Sequence, residues 1–455
     1  MLIKGDKKVI RGWAMYDWAN SVYSLVITST IFPIFYESIS VIKTPEGDVI
    51  TDLVFEATGY RNTALYSYTM SAAFLLVAII SPLLSGIADY TGSKKNYLMF
   101  FCYLGSAACI GLYFFDMNSL FFGMSMVFVA CAAFCASLVF YDAYLPEIAE
   151  PKDHDRVSAQ GYAMGYIGSV LLLLLNLSMI MMPEWFGIDP ENKSLPARLS
   201  FLSVGIWWAG FAQFTFFRLP ANVYGRKPKG DVIRKGYLEL VKVWHELKQT
   251  KRLWRYLLAF FVFNTAVQTV MYMAATFAAK EVKQINSNGN VEPMSADSLI
   301  ISILIIQLVA IVGAIFFSKL SSRIGNIRAL MVSVVIWIGV CVAAYYVHFD
   351  TQFFVVAGVV GLVMGGIQSL SRSTYAKFLP DTINHTSYFS FYNVCYYLGT
   401  VLGTFAYGLA FQLTGTLRAS IFAIGSFFVI GLIMLLFVPK EEVAIERETE
   451  RASGY

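Results

Sequence analysis

Charged residues are scarce in this chain, and their scarcity excludes an ordinary soluble protein. Asp, Glu, Lys and Arg make up 14% of the 455 residues, whereas 57% are hydrophobic, and the mean hydropathy is +0.61. A soluble domain carries roughly 25% charged and roughly 45–50% apolar residues. The composition therefore indicates an integral membrane protein. The formal net charge of +4 does not point to nucleic acid, and we predict no nucleic-acid partner.

Cysteine and histidine are also sparse, which argues against a metal centre. All six cysteines fall inside hydrophobic runs, and although Cys131 and Cys135 share a helix face, no His or carboxylate accompanies them at zinc-site spacing. The four histidines lie in loops or at helix ends. The sequence also lacks a nucleotide-binding loop and the Ser-Lys, paired-Asp or His-Glu arrangements of intramembrane active sites. We therefore predict no metal, no cofactor and no catalytic residues in a protein that is not an enzyme.

Long hydrophobic runs are what the chain has in abundance. Twelve of them approach the roughly 20 apolar residues that a helix needs to cross roughly 30 Å of hydrocarbon. A backbone in lipid must satisfy its own hydrogen bonds, and runs of this length do so as helices. The runs lie near residues 14–38, 63–87, 96–115, 119–141, 158–182, 199–217, 254–279, 298–320, 329–348, 353–376, 387–412 and 417–438. The predicted fold class is an all-α integral membrane bundle of twelve helices.

The two halves of the chain repeat one another. Residues 85–95 (SGIADYTGSKK) align with 318–328 (SKLSSRIGNIR), and residues 19–37 align without a gap with 263–281. Two-fold repetition of a membrane bundle is typical of secondary transporters, in which one half rocks against the other around a midplane site. We therefore predict two six-helix halves related by a pseudo-two-fold repeat, and transport by alternating access.

Basic residues indicate how the bundle is oriented. Of the 34 Lys and Arg residues, 27 fall in segments that are cytoplasmic if both termini are cytoplasmic, and 7 fall in the outer loops. Cytoplasmic loops of membrane proteins are enriched in Lys and Arg. The sequence therefore predicts that both termini lie in the cytoplasm.

A polar gap separates the halves and sets the predicted units: an N-terminal half at 1–218, a connector at 219–252, a C-terminal half at 253–438 and a charged tail at 439–455. Apolar residues recur along the connector at helical spacing, with Lys and Arg among the intervening positions. This pattern favours an amphipathic helix on the membrane surface with its basic groups near anionic lipid. Docking of a partner protein is the alternative. The apolar positions are Ile233, Tyr237, Leu240, Trp244 and Leu247.

Polar side chains form a stripe along the first helix and another along its repeat mate, the seventh helix. The members of each stripe lie three or four residues apart and so share one helix face. A polar stripe facing lipid is costly, so each should face the bundle interior or a water-filled cavity. Polar packing between helices, worth about 0.6 kcal/mol per bond, is the alternative. The predicted substrate-cavity residues are Asn20, Ser24, Asn264, Gln268, Tyr272 and, from the tenth helix, Gln368.

Three charged residues near the cytoplasmic helix ends are candidates for a gate. Asp17 begins the polar stripe of the first helix, Asp142 ends the fourth helix, and Arg372 lies near the end of the tenth. An inner gate held by salt bridges fits these positions. Proton coupling through a desolvated carboxylate fits them as well.

Residues 85–95 resemble the signature loop after the second helix of the major facilitator superfamily. The resemblance implies that its acid, Asp89, helps to latch the cytoplasmic side when that side is closed. The repeat copy keeps Arg323 but has Ser322 in place of the acid. We therefore expect a one-sided latch, with Asp89 and Arg323 as its candidate residues.

Four strings together resemble one branch of that superfamily: YDWANS at 16–21, ADYTGSKK at 88–95, YDAYLPE at 141–147 and GGIQSLSRS at 365–373. They are similar to those of the bacterial relatives of the yeast autophagy-related vacuolar amino-acid effluxer, a group of major facilitators of unknown function. Membership implies the twelve-helix major facilitator fold, with helices one, four, seven and ten lining the cavity. It also implies amino acids as a candidate substrate class.

The leading hypothesis is a monomeric carrier of the bacterial inner membrane that moves a small polar solute, with amino-acid efflux as the candidate activity. Its transport would be coupled to a proton or another ion, or would run downhill. One alternative is a carrier of a peptide, sugar or cell-wall fragment. Another is a non-transporting receptor or scaffold that acts through the connector.

Overall fold

A computed structural model of the chain describes residues 3–43, 49–222, 225, 230–285, 291–414 and 416–440. Within these residues, twelve helices are long and apolar enough to cross a membrane, as the twelve hydrophobic runs predict. Most of the predicted tail at 439–455 and part of the connector lie outside the described residues. In chain order, spans 1 to 12 are Lys7–Ser40, Asn62–Thr91, Lys94–Phe114, Met117–Ile148, Pro151–Met181, Leu195–Arg218, Lys251–Glu281, Ala296–Ile324, Asn326–Tyr346, Asp350–Phe378, His385–Thr414 and Leu417–Leu436. The chain is a multi-pass membrane protein.

Span 1 is not a uniform α-helix. It consists of an α-helix at Lys7–Val22, a π-helix at Tyr23–Ile31 and a second α-helix at Phe32–Ser40. Pro33 explains the change, because its ring carries no N–H and would clash with the carbonyl four residues earlier in a regular α-helix. Wider π-turns often occur at functional sites, and this one lies beside the cavity described below.

Several spans are also built from more than one element. Span 3 ends in a 3-10 turn at Leu112–Phe114, and spans 4 and 5 begin with 3-10 turns at Met117–Ser119 and Pro151–Asp153. Span 4 ends in a separate turn of α-helix. The α-helices within these spans are Lys94–Gly111, Leu120–Asp142, Leu145–Ile148 and His154–Met181. Between spans lie the short α-helix Leu53–Thr58 and the 3-10 helix Pro183–Phe186.

The first span of each half is followed by a small antiparallel hairpin. Strands β1 (Val41–Lys43) and β2 (Val49–Asp52) follow span 1, and β3 (Lys283–Ile285) and β4 (Val291–Pro293) follow span 7. Both hairpins occupy the same place in their halves, so the repeat seen in the sequence extends to the loops.

Among its described residues, the connector contains one helix, Val232–Gln249, which packs against the ends of spans 2 and 11. Gly236 makes the close approach to span 2 feasible, since a Cβ there would strike the backbone of Ile87. Val243 and Leu247 are fully buried in this contact. Of the predicted apolar stripe, Leu247 at the C-terminal end is buried within the protein, whereas Ile233 and Tyr237 are exposed, and the membrane contact stays a prediction.

The end of the bundle that carries this helix is called the connector end below. Both described chain ends lie there as well: the Gly5 N–H donates to the carbonyl of Ile148 (2.8 Å), and Arg255 Nη1 donates to the carbonyl of Phe437 (3.0 Å). The hairpins occupy the opposite end, because each follows a span that starts at the connector end.

Candidate functional site

Arg372 of span 10 lies between two aspartates of the other half of the chain. Its Nη2 is 3.3 Å from Asp17 Oδ2, and its Nη1 is 3.1 Å from Asp142 Oδ1. Nε and Nη2 also donate to the hydroxyl and the carbonyl of Ser158, both at 3.0 Å. Only 2% of Arg372 is exposed. The three residues that the sequence marked as gate candidates are thus brought together as one buried charged triad.

Small and aromatic residues make room for the triad. A Cβ on Gly161 would strike the carboxylate of Asp17, so only glycine lets span 5 pack this close. The guanidinium of Arg372 lies over the rings of Tyr162 (4.3 Å) and Trp13 (4.8 Å), contacts that stabilise a cation. Tyr141 donates a 2.7 Å hydrogen bond to Asp17. These contacts fix the positions of the Arg372 and Asp17 side chains.

A cavity of about 180 Å³ begins at the triad and extends away from the connector end. Five of the six residues predicted to line it do so: Asn20, Ser24, Gln268, Tyr272 and Gln368. Ser29, farther along span 1, also lines the cavity and is exposed. The cavity therefore opens toward the end that carries the hairpins.

Asn264 is the exception among the predicted cavity residues. It is buried, accepts a 3.1 Å hydrogen bond from Gln268 Nε2 and donates to the carbonyl of Tyr396. Asn264 thus lies behind the cavity wall and orients Gln268. Spacing alone places both residues on one face, but the rotation of span 7 decides which of them reaches the cavity.

Sequence reasoning missed the phenols of span 5. Tyr166 donates a 2.7 Å hydrogen bond to Gln368 Oε1, which links the two halves across the cavity. The i, i+4 spacing of Tyr162 and Tyr166 was the available signal. The phenol side chains that line the cavity are Tyr23, Tyr162, Tyr166, Tyr272, Tyr392, Tyr396 and Tyr397.

Two amide groups in the cavity wall have unused hydrogen-bonding capacity. Asn20 Nδ2 and Gln307 Oε1 are buried and have no hydrogen-bond partner among the described residues. Buried polar groups of proteins are nearly always paired. A polar ligand in this cavity could therefore bond to one donor and one acceptor that the protein leaves available.

Asp89 joins the two halves at the connector end. Its two oxygens accept from the backbone N–H groups of Thr386 (3.2 Å) and Ser387 (2.7 Å), at the start of span 11. A carboxylate is stabilised at a helix N-terminus, where N–H groups are unpaired and the helix dipole is positive. The geometry is that of a latch between span 2 and span 11.

A second latch lies in the repeat-related position, which corrects the expectation of a one-sided latch. Asp155 of span 5 accepts from Ser321 Oγ and Asn326 Nδ2, both at 2.7 Å, and from Lys377 Nζ at 2.6 Å. Arg323, which the sequence suggested for this role, is exposed and makes no ion pair within the described part of the chain. Here the N-terminal half provides the acid, from span 5, and the C-terminal half provides the donors, from spans 8, 9 and 10.

Glu147 forms a third contact at the same end. It pairs with Lys94 and accepts from His385 Nδ1 at 3.2 Å, so it connects span 4 to the start of span 11. All three contacts and the charged triad close the bundle between the cavity and the connector end.

Comparison with known proteins identifies the family. The model of the family described as "Vacuole effluxer Atg22 like" matches residues 5–448. The chain belongs to this family. It is 31% identical to the uncharacterized MFS-type transporter YxiO of Bacillus subtilis, over 97% of each chain, and 23% identical to autophagy-related protein 22-1 of Aspergillus terreus, over 85% of this chain and 76% of that protein. The resemblance drawn from the sequence motifs is confirmed, and the chain is an MFS-type membrane transporter and not an enzyme.

Solved structures show the same fold at low sequence identity. The MFS transporter FucP in its outward conformation matches with a TM-score of 0.66 at 12% identity, over 95% of this chain and all of FucP. The human organic anion transporter MFSD10 matches with a TM-score of 0.67 at 11% identity, over 95% of this chain and all of that one. The predicted twelve-helix major facilitator fold is confirmed.

Proposed function

We propose that this protein is a secondary-active or facilitated carrier that moves a small polar solute by alternating access, with amino-acid efflux as the candidate activity. The observation that carries the proposal is the polar cavity that ends at a buried charged triad contributed by both halves. A rocking motion that opens the connector end must separate Arg372 from Asp17 and Asp142, because the cation and the acids belong to different halves.

The proposed orientation places the connector end in the cytoplasm of a bacterial plasma membrane. Its support is the excess of Lys and Arg, 27 of 34, in segments at that end, together with the Bacillus relative. In this orientation the cavity faces outward, and the charged triad and the latches form the inner gate. The exposed Ile233 and Tyr237 of the connector helix are then candidates for contact with anionic lipid.

The size of the cavity supports a small solute over a peptide or a cell-wall fragment. An engineered protein cavity of about 150 Å³ holds benzene, so about 180 Å³ suits a ligand only somewhat larger. Amides, hydroxyls and phenols line it, which suits recognition by hydrogen bonds. A single amino acid or a related small molecule fits both properties.

Flux measurements in liposomes test the proposal. We expect purified protein to exchange a labelled amino acid or a closely related small solute in a saturable manner, and Arg372→Ala to abolish the exchange. Arg323→Ala is the matched control, because this arginine is exposed and lies outside the triad. Its exchange should equal that of the unmodified protein.

Two results would replace the proposal by an alternative. Exchange of dipeptides or sugars, but not of single small solutes, would favour the larger-cargo carrier. Absence of exchange for every solute by protein that binds none of them would favour a receptor or scaffold.

A further inference from the structure

The charged side chains that line the cavity do not balance. Among the described residues they are Asp17, Asp142 and Arg372, which give one excess negative charge when both carboxylates are ionised. An uncompensated charge inside a membrane protein is costly, and such residues are usually paired or face a polar pathway. A ligand that brings one positive charge would neutralise the site.

Arg372 has no N–H left for a ligand. A guanidinium has five N–H donors, and Arg372 makes five hydrogen bonds, two of them to Asp17, one to Asp142 and two to Ser158. The carboxylate of a zwitterionic amino acid would therefore have to break one of these bonds in order to reach the cation. Arg372 is the one cation among the described residues of the cavity lining, so no other positive side chain can take its place.

The aspartates differ from Arg372 in this respect. Arg372 contacts Oδ2 of Asp17 and Oδ1 of Asp142, so the second oxygen of each carboxylate accepts no bond from it. An ammonium group has compact charge and several N–H donors, which suits carboxylate oxygens. Gln307 Oε1 is a neutral acceptor elsewhere in the same cavity.

Aromatic rings give the cavity a second means of binding a cation. The face of a phenol ring attracts ammonium groups, most strongly where water is excluded. Arg372 already lies over Tyr162 at 4.3 Å. Tyr166, Tyr392 and Tyr396 provide further rings in the cavity wall.

Resting on the carrier function proposed above, but replacing the amino acid as its candidate solute, we infer that the substrate is a small organic cation, an amine without a carboxylate, whose ammonium group binds beside Asp17 and Asp142. Asn20 Nδ2, which has no partner among the described residues, donates to a neutral oxygen of the same ligand. Passage of the ligand between the cavity and the connector end then requires the triad to open, so the group that binds the substrate is also part of the gate.

Ligands that differ in one charged group test the inference. Isoamylamine, leucine and 4-methylpentanoate share a branched hydrocarbon chain; the first carries only an amine, the second an amine and a carboxylate, and the third only a carboxylate. Binding is measured on the purified full chain by calorimetry and by the shift of the unfolding midpoint. We expect the amine to bind at least about tenfold more tightly than leucine, a difference of about 1.4 kcal/mol, and the acid not to bind.

Two variants locate the effect. Asp142→Asn removes the excess charge, so it should weaken amine binding about tenfold or more and remove the preference over leucine. Asp142→Glu keeps the charge and should keep the preference. Arg323→Ala is the control for a general change in charge and should bind like the unmodified protein.

The ligand series needs no variant, so misfolding of Asp142→Asn cannot leave the inference untested. Leucine binding as tightly as the amine, or more tightly, would overturn it while leaving an amino-acid carrier in place. Failure of all three ligands together with flux of another solute would also overturn it. Absence of flux for every solute would remove the carrier function itself.

Discussion

Asp155 accepts a 2.7 Å hydrogen bond from the hydroxyl of Ser321. This contact is the repeat counterpart of the Asp89 latch, but the acid and the donors have exchanged places relative to the repeat. In the first latch the end of span 2 provides the acid, Asp89, and span 11 provides the N–H donors. In the second latch the end of span 8, the start of span 9 and span 10 provide the donors, and span 5 provides the acid. The second copy has Ser322 at the position of Asp89, and Asp155 of the N-terminal half therefore provides the acid for this contact.

Neutralising Asp89 should release the connector end. Asp89→Asn keeps one acceptor oxygen but loses the charge that suits the N-terminus of span 11, and hydrogen bonds to charged groups are worth about 1.5–3 kcal/mol. We expect a larger population of protein open at the connector end. Spin labels at exposed Arg156 and Arg323, one in each half, should report longer distances.

Ser322→Ala is the matched control for Asp89→Asn. It changes the repeat-equivalent position, where the hydroxyl is exposed and, among the described residues, bonds only to the carbonyl of Lys319. Its distance distribution should match that of the parent protein. An unchanged distribution in Asp89→Asn would show that the latch does not hold the closed state.

Loss of the cation at the second latch should act in the same direction. Lys377→Gln removes the charge that donates to Asp155 at 2.6 Å, but leaves the donors Ser321 and Asn326 in place. We expect a smaller shift of the same spin-label distances than in Asp89→Asn. The two latches are separate, so the double variant should add the two free-energy shifts within about 0.5 kcal/mol. A double variant no more open than Asp89→Asn alone would contradict two independent latches.

The fold and the triad were predictable from the sequence for different reasons. Lipid leaves the backbone few alternatives to the helix, so hydrophobic runs predict the spans directly. Asp17, Asp142 and Arg372 stood out because charges near span ends are rare and need partners. Gly161 explains how the triad fits, but its contact with Asp17 depends on how closely span 5 packs, which spacing does not reveal.

The second latch and the connector helix were not predictable in the same way. Asp155 and Ser321 are 166 positions apart. Ser321 lies in the repeat copy of the signature loop at 318–328, but no motif marks Asp155 as its partner. In the connector, apolar spacing alone cannot distinguish a membrane surface from a protein groove. The groove exists because Gly86 of span 2 and Gly236 of the connector helix let the two backbones approach. These two glycines are 150 positions apart in the chain.

Bulk at Gly236 should detach the connector helix. Gly236→Leu places a side chain where a Cβ already meets the backbone of Ile87. The hydrogen bond between Tyr388 and Glu246, 3.0 Å long, joins the same helix to span 11 and should weaken with it. We expect faster amide exchange over Val232–Gln249. Leu238→Ala, at an exposed position of the same helix, is the control, and equal exchange in both variants would contradict the docked helix.

Removal of Arg372 should destabilise the protein as well as stop transport. Arg372→Ala leaves Asp17 and Asp142 buried without their cation, and breaking a buried ion pair on one side costs about 3–5 kcal/mol. We expect a lower unfolding midpoint and no flux in liposomes. Neutralising the whole triad, with Arg372→Gln, Asp17→Asn and Asp142→Asn together, should restore much of the midpoint because no unpaired charge remains, yet flux should stay absent. Restored flux in the neutral variant would mean that the triad only supports the fold, whereas restored stability without flux would assign the charges to transport.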